Sequence, residues 1–441
     1  MNHKHAALCL YRSVNSLYLP VIRHSSDTRR VELTSLVSVK SPKYKPARAF
    51  LSSAPSRAAT TSGTSTIHSS QSLNSFSKYT MVQTDEGDFL LRDDVKLYTK
   101  TWKPDQPSSI HLIFVHGFSD HINAYYNLFP TLASPPYNIT VHGFDQRGWG
   151  RSASKKSEWG MTGDTQQVLT DIYDFICDVS SSITAESTFS KLFLMGHSMG
   201  GAESLVYLLS DESTFTKVLK RAQKPLPITG LLVESPHIAF PHDSQPNAFT
   251  VFAGRLASRL LPNMQLVQKL DPSFMSRDPK VCQEWANDPL CHDTGTLKGL
   301  AGLLHRADYL NTFDAEGHNY EKRHLGMRGT LPCPVWVAHG NADKVCDYEA
   351  SKKLYEKLAT NSSDDVSTKG SVFKTYEGGY HKLHAEPDGM SKQFAIDAGD
   401  WILRIAGNVK EASAPVEIEA QPNTGTQSHP DAERDSMKAR L

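Results

Sequence analysis

Lys191-Leu192-Phe193-Leu194-Met195-Gly196-His197-Ser198-Met199-Gly200-Gly201 is the stretch that decides how the rest of the chain is read. Its opening is an apolar, strand-forming run, and the residues after it, Ala202-Glu203-Ser204-Leu205-Val206-Tyr207-Leu208-Leu209, favour helix. Between the two stands a serine with glycine on either side, the G-x-S-x-G pattern of a nucleophile elbow. Such glycines let the backbone turn sharply enough to lift the serine Oγ above the end of a sheet. Taken alone, the pattern fits an ordinary glycine turn equally well. A serine hydroxyl is a weak nucleophile until a base takes its proton and an acid holds that base, so the test is whether such residues follow.

They follow in the order serine, acid, histidine. Pro334-Val335-Trp336-Val337-Ala338-His339-Gly340 reads as a buried strand running into a glycine turn, with Asp343 on the loop beyond it. Ser371-Val372-Phe373-Lys374-Thr375-Tyr376 reads as a further strand, followed by Glu377-Gly378-Gly379-Tyr380-His381, whose paired glycines let the loop bring an imidazole back toward the serine. Ser198, Asp343 and His381 are therefore the expected triad, with Asp347 and His384 as local competitors for acid and base. Attack on a carbonyl also needs donors for the oxyanion. One is the backbone N–H after the nucleophile, Met199, and the other is expected from Ile110-His111-Leu112-Ile113-Phe114-Val115-His116-Gly117-Phe118, where a strand ends in His-Gly and Phe118 can point its N–H at the site.

Around these loops the chain alternates strand-like and helix-like segments, which predicts a mostly parallel sheet covered on both faces. Val95 to Trp102 alternates at period two and is expected as a strand on the antiparallel edge, and Ile139 to Phe144 and Ile228 to Glu234 are expected core strands. Asp164 to Ile183 carries Val168, Ile172, Phe175, Ile176 and Val179 at helical spacing, and Met390 to Ile405 forms the last helix. Asp145, also at a strand end, reads as a turn residue because of the glycines after it. Between Pro236 and about Leu325 the alternation stops. Phe249, Phe252, Leu256, Leu260 and Leu261 fall near helical spacing there, as do Leu297, Leu300, Leu303 and Leu304. This insertion is expected as a helical cap over the strand ends, with Phe249 to Leu261 as an element able to lie in a lipid interface.

Several of these segments together resemble the monoglyceride lipases among the α/β-hydrolase serine hydrolases, most closely the fungal members. The resemblance is carried by His116-Gly117-Phe118-Ser119-Asp120-His121, Phe144-Asp145-Gln146-Arg147-Gly148-Trp149-Gly150-Arg151-Ser152, the elbow, Leu261-Pro262-Asn263, Asn287-Asp288-Pro289-Leu290, the loop from Gly340 to Asp347, and Tyr376 to His384. It runs from about residue 85 to 407 and includes cap pieces. It implies hydrolysis of a monoacylglycerol to fatty acid and glycerol through an acyl-enzyme, with no metal or organic cofactor. It also implies a polar pocket for the glycerol, in which His197 matches a family residue, Asp120 stands where a glutamate is usual, and Trp285 stands where the animal enzymes have a tyrosine. His197 has the alternative of an ordinary packed core histidine. Other ester or thioester substrates, such as a lysophospholipid, are the first alternative, and a hydrolase-like protein that binds without turnover is the second. A lipid-droplet or membrane surface suits the resemblance as a partner.

Composition bounds the rest. Lysine plus arginine and aspartate plus glutamate both number 47, so the net charge is zero and nothing points to nucleic acid or an acidic partner. The balance is uneven along the chain: residues 1–80 contain eleven lysines and arginines against only Asp27 and Glu32. The first of these residues have the look of a mitochondrial presequence, while the serine-rich part after residue 51 reads as disorder, and Met81 would also be a natural start. The expected organisation is thus a leader (1–80), a first core part (81–235), the cap (236–325), a second core part (326–407) and a polar tail (408–441). The tail ends in Ala439-Arg440-Leu441, the form of a peroxisomal address, so the sequence points to more than one intracellular destination. Six cysteines show no metal spacing and no secretory signal, and read as reduced thiols. Oligomeric state has no signature in the sequence.

Overall fold

The computed structural model describes residues 82–186, 189–210, 225–313, 329–360 and 369–407. The leader, the tail and the Ala439-Arg440-Leu441 terminus lie outside them. Along the chain come β1 (Gln83–Leu90), β2 (Lys96–Lys103), β3 (Ile110–Val115), α1 (Leu128–Ala133), β4 (Thr140–Phe144), α2 (Thr165–Glu186), β5 (Lys191–His197), α3 (Met199–Leu209) and β6 (Ile228–Glu234). Then follow α4 (Ala248–Leu260), β7 (Gln265–Val267), α5 (Pro279–Asn287), β8 (Thr294–Thr296), α6 (Leu297–Asn311), β9 (Val335–Gly340), α7 (Tyr348–Thr360), β10 (Val372–Tyr376) and α8 (Met390–Ile405).

Eight strands form one sheet in the order β1-β2-β4-β3-β5-β6-β9-β10, in which β2 alone runs opposite to the others. The central strands are the continuous apolar runs seen in the sequence because both of their faces are covered. Side chains of a strand alternate between faces, so Leu192 and Leu194 of β5 enter one core with α2 and α3, while Phe193 and Met195 enter the other with α1 and α8. With its helices on both faces, this is the α/β-hydrolase fold. All the loops at the C-terminal ends of β3, β5, β6, β9 and β10 therefore emerge on one side.

Two expectations about individual elements are corrected. The strand from Val95 is present as β2 but lies one place in from the edge, which is formed by β1. Gln83 to Leu90 is exposed along nearly its whole length and has no apolar alternation to reveal it. It is held by its antiparallel ladder to β2 and by the cross-strand pairs Lys96–Asp88, Lys100–Glu86 and Lys103–Asp85, charges of the kind that also discourage pairing with another chain. Second, the insertion after β6 is not helical throughout: β7 and β8 form a small antiparallel ribbon between α4 and α6. Each of its strands has three residues, and their pairing joins segments far apart in sequence, which local periodicity does not register.

The insertion sits on the loop after β10 and on α3. The amide of Lys382 donates to Met275 O (2.8 Å), Ser276 Oγ donates to Ala385 O (3.0 Å), and Arg277 pairs with the buried Glu386. From α6, Arg306 Nη2 donates to Glu203 Oε1 of α3 at 2.7 Å, with both side chains buried. Burial pushes the Glu203 carboxyl up and the Arg306 guanidinium down, and each charge partly offsets the shift of the other. None of the described helices is long and apolar enough to cross a membrane.

Candidate active site

Ser198 sits between β5 and α3 at φ 55°, ψ −117°, a backbone conformation that costs a non-glycine residue about 1–3 kcal/mol. Three backbone bonds hold it there. Its N–H donates to Glu234 O (2.9 Å), while its carbonyl accepts from His237 N (2.9 Å) and Ala202 N (3.1 Å). The flanking glycines are required by close approach: a Cβ on Gly196 would lie 2.3 Å from Gly200 O, and one on Gly200 would lie 2.2 Å from Val115 O. The elbow is thus wedged against the end of β3, beside the loop expected to supply an oxyanion donor.

The three residues expected to act together are in contact. His381 Nε2 lies 2.9 Å from Ser198 Oγ, and His381 Nδ1 lies 2.8 Å from Asp343 Oδ2. The Asp343 carboxylate is fully buried and accepts further bonds from the amides of Val345 (2.7 Å) and Cys346 (3.1 Å) on Oδ1. Burial alone would raise this carboxyl, but His381, His339 and the hydrogen bonds to both hold it well below the ordinary range, so it is an anion aimed at the imidazole. The local competitors are engaged elsewhere. Asp347 Oδ1 accepts from Ala350 N (2.7 Å) at the start of α7. His384 Nδ1 is 2.8 Å from Glu234 Oε1. Asp145 accepts from the amides of Ile122 (2.9 Å) and Arg151 (2.7 Å), a turn residue as its sequence indicates.

The loop after β3 passes directly beside the nucleophile: a Cβ on Gly117 would lie 3.1 Å from Ser198 Cβ. Phe118 follows, its ring packed edge-on against Trp149 at 4.8 Å, and Met199 occupies the first position of α3, where an amide has no acceptor within its own helix. Beyond them lies a buried polar cluster. Asp120 Oδ2 accepts from Tyr125 Oη (3.1 Å) and from Lys382 Nζ (2.9 Å), and His197 Nδ1 is 3.0 Å from the same Tyr125 Oη. Gly117 N donates to that hydroxyl as well (3.2 Å). Burial, with the neighbouring His381, His384 and Lys382, holds His197 far below its usual pKa, so its imidazole is neutral. Trp285 reaches over from α5 and donates its Nε1–H to Ser119 O at 3.1 Å, so its polar atom already ties the insertion to this loop.

Four members of the site carry no legible signal in the sequence. His339 Nε2 lies 3.0 Å from Asp343 Oδ2, with Nδ1 held by Ser351 Oγ at 2.9 Å. Lys382 is 98% buried in spite of its charge, Glu234 faces His384, and Tyr125 ties the loop after β3 to the end of β5 through one hydroxyl. Each is an ordinary residue on an ordinary loop until the loops meet. Cys282, Cys291, Cys333 and Cys346 are free thiols. Cys346 lies against Ser198, and its thiol is raised by burial and by the Asp343 charge; Cys291 is raised by burial too, so neither is a thiolate poised for attack.

A family profile described as serine aminopeptidase, S33, matches residues 106–388. The chain belongs to that family. As an S33 member with this fold, it is a serine hydrolase. Among its relatives is a Schizosaccharomyces pombe protein provisionally named a monoglyceride lipase, 28% identical over 341 residues that make up 76% of this chain and 79% of the relative. The monoglyceride lipase of Mus musculus is 26% identical over 318 residues, covering 71% of this chain and 89% of its own length. The crystal structure of a soluble variant of monoglyceride lipase from Saccharomyces cerevisiae, in complex with a substrate analog, shares the fold at a TM-score of 0.59 and 21% identity, over 74% of this chain and 97% of that one.

Proposed function

We propose that this S33 hydrolase cleaves monoacylglycerols to free fatty acid and glycerol, with Ser198 as nucleophile, His381 as base and Asp343 as the orienting acid. The observation that carries the chemistry is the unbroken line Ser198 Oγ, His381 Nε2, His381 Nδ1, Asp343 Oδ2, at 2.9 and 2.8 Å. His381 takes the hydroxyl proton as Ser198 attacks the ester carbonyl, and Asp343 stabilises the imidazolium that results. The amides of Phe118 and Met199 receive the oxyanion. His381 then returns the proton to the departing glycerol oxygen and draws one from water to release the acid. Similarity to monoglyceride lipases along most of the chain supports the substrate.

In this reading the cluster of His197, Asp120, Lys382 and Tyr125 forms the polar floor of the alcohol end, with Trp285 above it. The insertion acts as the cap, and α4 brings the protein to a lipid-droplet or membrane surface. Phe249, Phe252, Leu256 and Leu260 form one stripe of that helix and are all exposed, flanked by Arg255 and Arg259. Removing each such side chain from water is worth about 1.5–3 kcal/mol, which favours a lipid interface as its resting place. A hydrolysis panel of monoacyl, diacyl, lysophospholipid and acyl-CoA substrates, with Ser198→Ala as control, tests the proposal. Monoacylglycerol is expected to rank first; if it ranks last, the substrate is wrong while the esterase chemistry stands.

A further inference from the structure

The seam between the loop after β3 and the segment after α5 holds a group of side chains that ester hydrolysis does not use. His121 Nε2 lies 2.9 Å from Asp288 Oδ2, and Cys291 adds its Sγ, with the three atoms all within 4.8 Å of one another. Each residue is aimed by its own backbone surroundings. Asn123 N donates to His121 Nδ1 (3.3 Å), so the ring proton sits on Nε2 and faces Asp288 across the seam. Leu290 N donates to Asp288 Oδ1 (2.8 Å), which leaves Oδ2, and Cys291 N is tied back to Asp288 O (3.1 Å). The surroundings are anionic. Asp288 and Asp293 act on Cys291, while Asp120 and Lys382, which act on it in opposite directions, form an ion pair with each other. Asp293 Oδ1 is moreover buried with no hydrogen-bond partner, although Ser119 and the Lys269 charge act on the same carboxyl, which burial pushes up to about 6.

We propose that His121, Asp288 and Cys291 bind a divalent cation of the zinc class and that the bound ion bridges the core loop to the cap. Imidazole nitrogen, thiolate sulfur and carboxylate oxygen together suit zinc, whereas magnesium and calcium prefer oxygen alone. Three protein ligands leave a fourth, tetrahedral position for water, and a contraction of about 1 Å among the ligand atoms brings them to bonding distance. On binding, the Cys291 S–H bond breaks, a sulfur–metal bond forms and the proton leaves to solvent; the His121 proton that faces Asp288 from Nε2 moves to Nδ1, the bond from Asn123 N is given up, and Nε2 binds the metal. The ion then holds the cap against the loop that carries Phe118, where Trp285 already touches Ser119. Occupancy slows turnover by fixing that seam, without contact with Ser198.

The test is titration of the full chain, freed of metal with a chelator, with cadmium as the spectroscopic probe and zinc in the activity assay. Cadmium is expected to give a thiolate-to-metal charge-transfer band that saturates at one ion per chain. The band disappears in Cys291→Ser, weakens at least tenfold in apparent affinity in Asp288→Asn, and persists in Cys346→Ser, whose thiol belongs instead to the neighbourhood of Asp343 and His381. Zinc lowers ester hydrolysis in the unaltered chain and not in Cys291→Ser, whose activity without metal is unchanged. The Asp288→Asn variant keeps the thiol and serves if Cys291→Ser fails to fold. A band that survives Cys291→Ser, a band lost in Cys346→Ser, no band with excess cadmium, or equal zinc inhibition of the unaltered and Cys291→Ser chains would each overturn the proposal. Every readout except the inhibition assay is independent of which ester the enzyme cleaves.

Discussion

The loops around Ser198 and the helix α4 handle burial in opposite ways. At the site, charged and polar groups are taken out of water and nearly all of them are bonded: Asp120, Lys382, His197, Asp343 and Glu234 each meet at least one partner at hydrogen-bonding distance. On α4 the largest apolar side chains are left in water, with Phe249 78% and Leu260 73% exposed, while the half-buried positions include the small residues Gly254, Ala257 and Ser258. The first region spends folding free energy to hold a geometry; the second withholds apolar area that folding would otherwise use. Both departures from the usual economy of a globular chain fall where a function is proposed, one for chemistry and one for reaching a lipid.

The comparison breaks most visibly at the triad. Ser198→Ala and His381→Ala are expected to lower kcat by about 10⁴-fold or more with little change in fold, whereas His384→Ala, whose imidazole faces Glu234, retains most of the activity. A reversed result in a steady-state ester assay would move the base from His381 to His384. Next in size is the strut between α6 and α3. Arg306→Met leaves the Glu203 carboxylate buried without its partner and is expected to cost about 3–5 kcal/mol in urea unfolding. A loss below about 1 kcal/mol would mean that the cap and the core do not depend on that pair.

Acid provides a third probe. Burial holds His237 and His292 at about 4, against 6.5 for an open histidine. Between those values the unfolded chain takes up protons that the folded chain excludes, so their contribution is complete above 6.5 and is lost as pH falls toward 4. Both ring nitrogens of His237 lack partners, so His237→Phe is expected to flatten the pH dependence of the melting temperature in that window. An unchanged slope would assign the acid sensitivity elsewhere. The smallest effect on stability belongs to α4. Replacing Phe249, Phe252 and Leu256 with serine is expected to change stability by within about 0.5 kcal/mol per site while reducing flotation with liposomes. If flotation is unaffected, the apolar stripe is not what reaches the lipid.

The core strands were legible because parallel strands covered on both faces must be apolar throughout, and the elbow was legible because only glycine tolerates the approach of Gly196 to Gly200 O and of Gly200 to Val115 O. Strand β1 was not, since an exposed edge held by ladder bonds and charge pairs leaves no apolar period. The β7–β8 ribbon was hidden for a related reason: its pairing is long-range and its strands are short. Within the site, the meeting of Ser198, Asp343 and His381 could be expected from their order at strand ends. His339, Lys382, Tyr125 and Glu234 could not, because their roles depend on which loops lie side by side.

The sequence by itself determined the α/β arrangement, the serine at its elbow and the acid and histidine that follow, because strand periodicity and glycine geometry are local properties written residue by residue. Only the tertiary structure decided that Asp120 is paired with a buried lysine, that Arg306 ties the insertion to the nucleophile helix, that α4 faces outward, and that His121, Asp288 and Cys291 meet. Those facts depend on distances between segments remote in the chain, and such distances are set by packing the whole sheet and its covering helices at once.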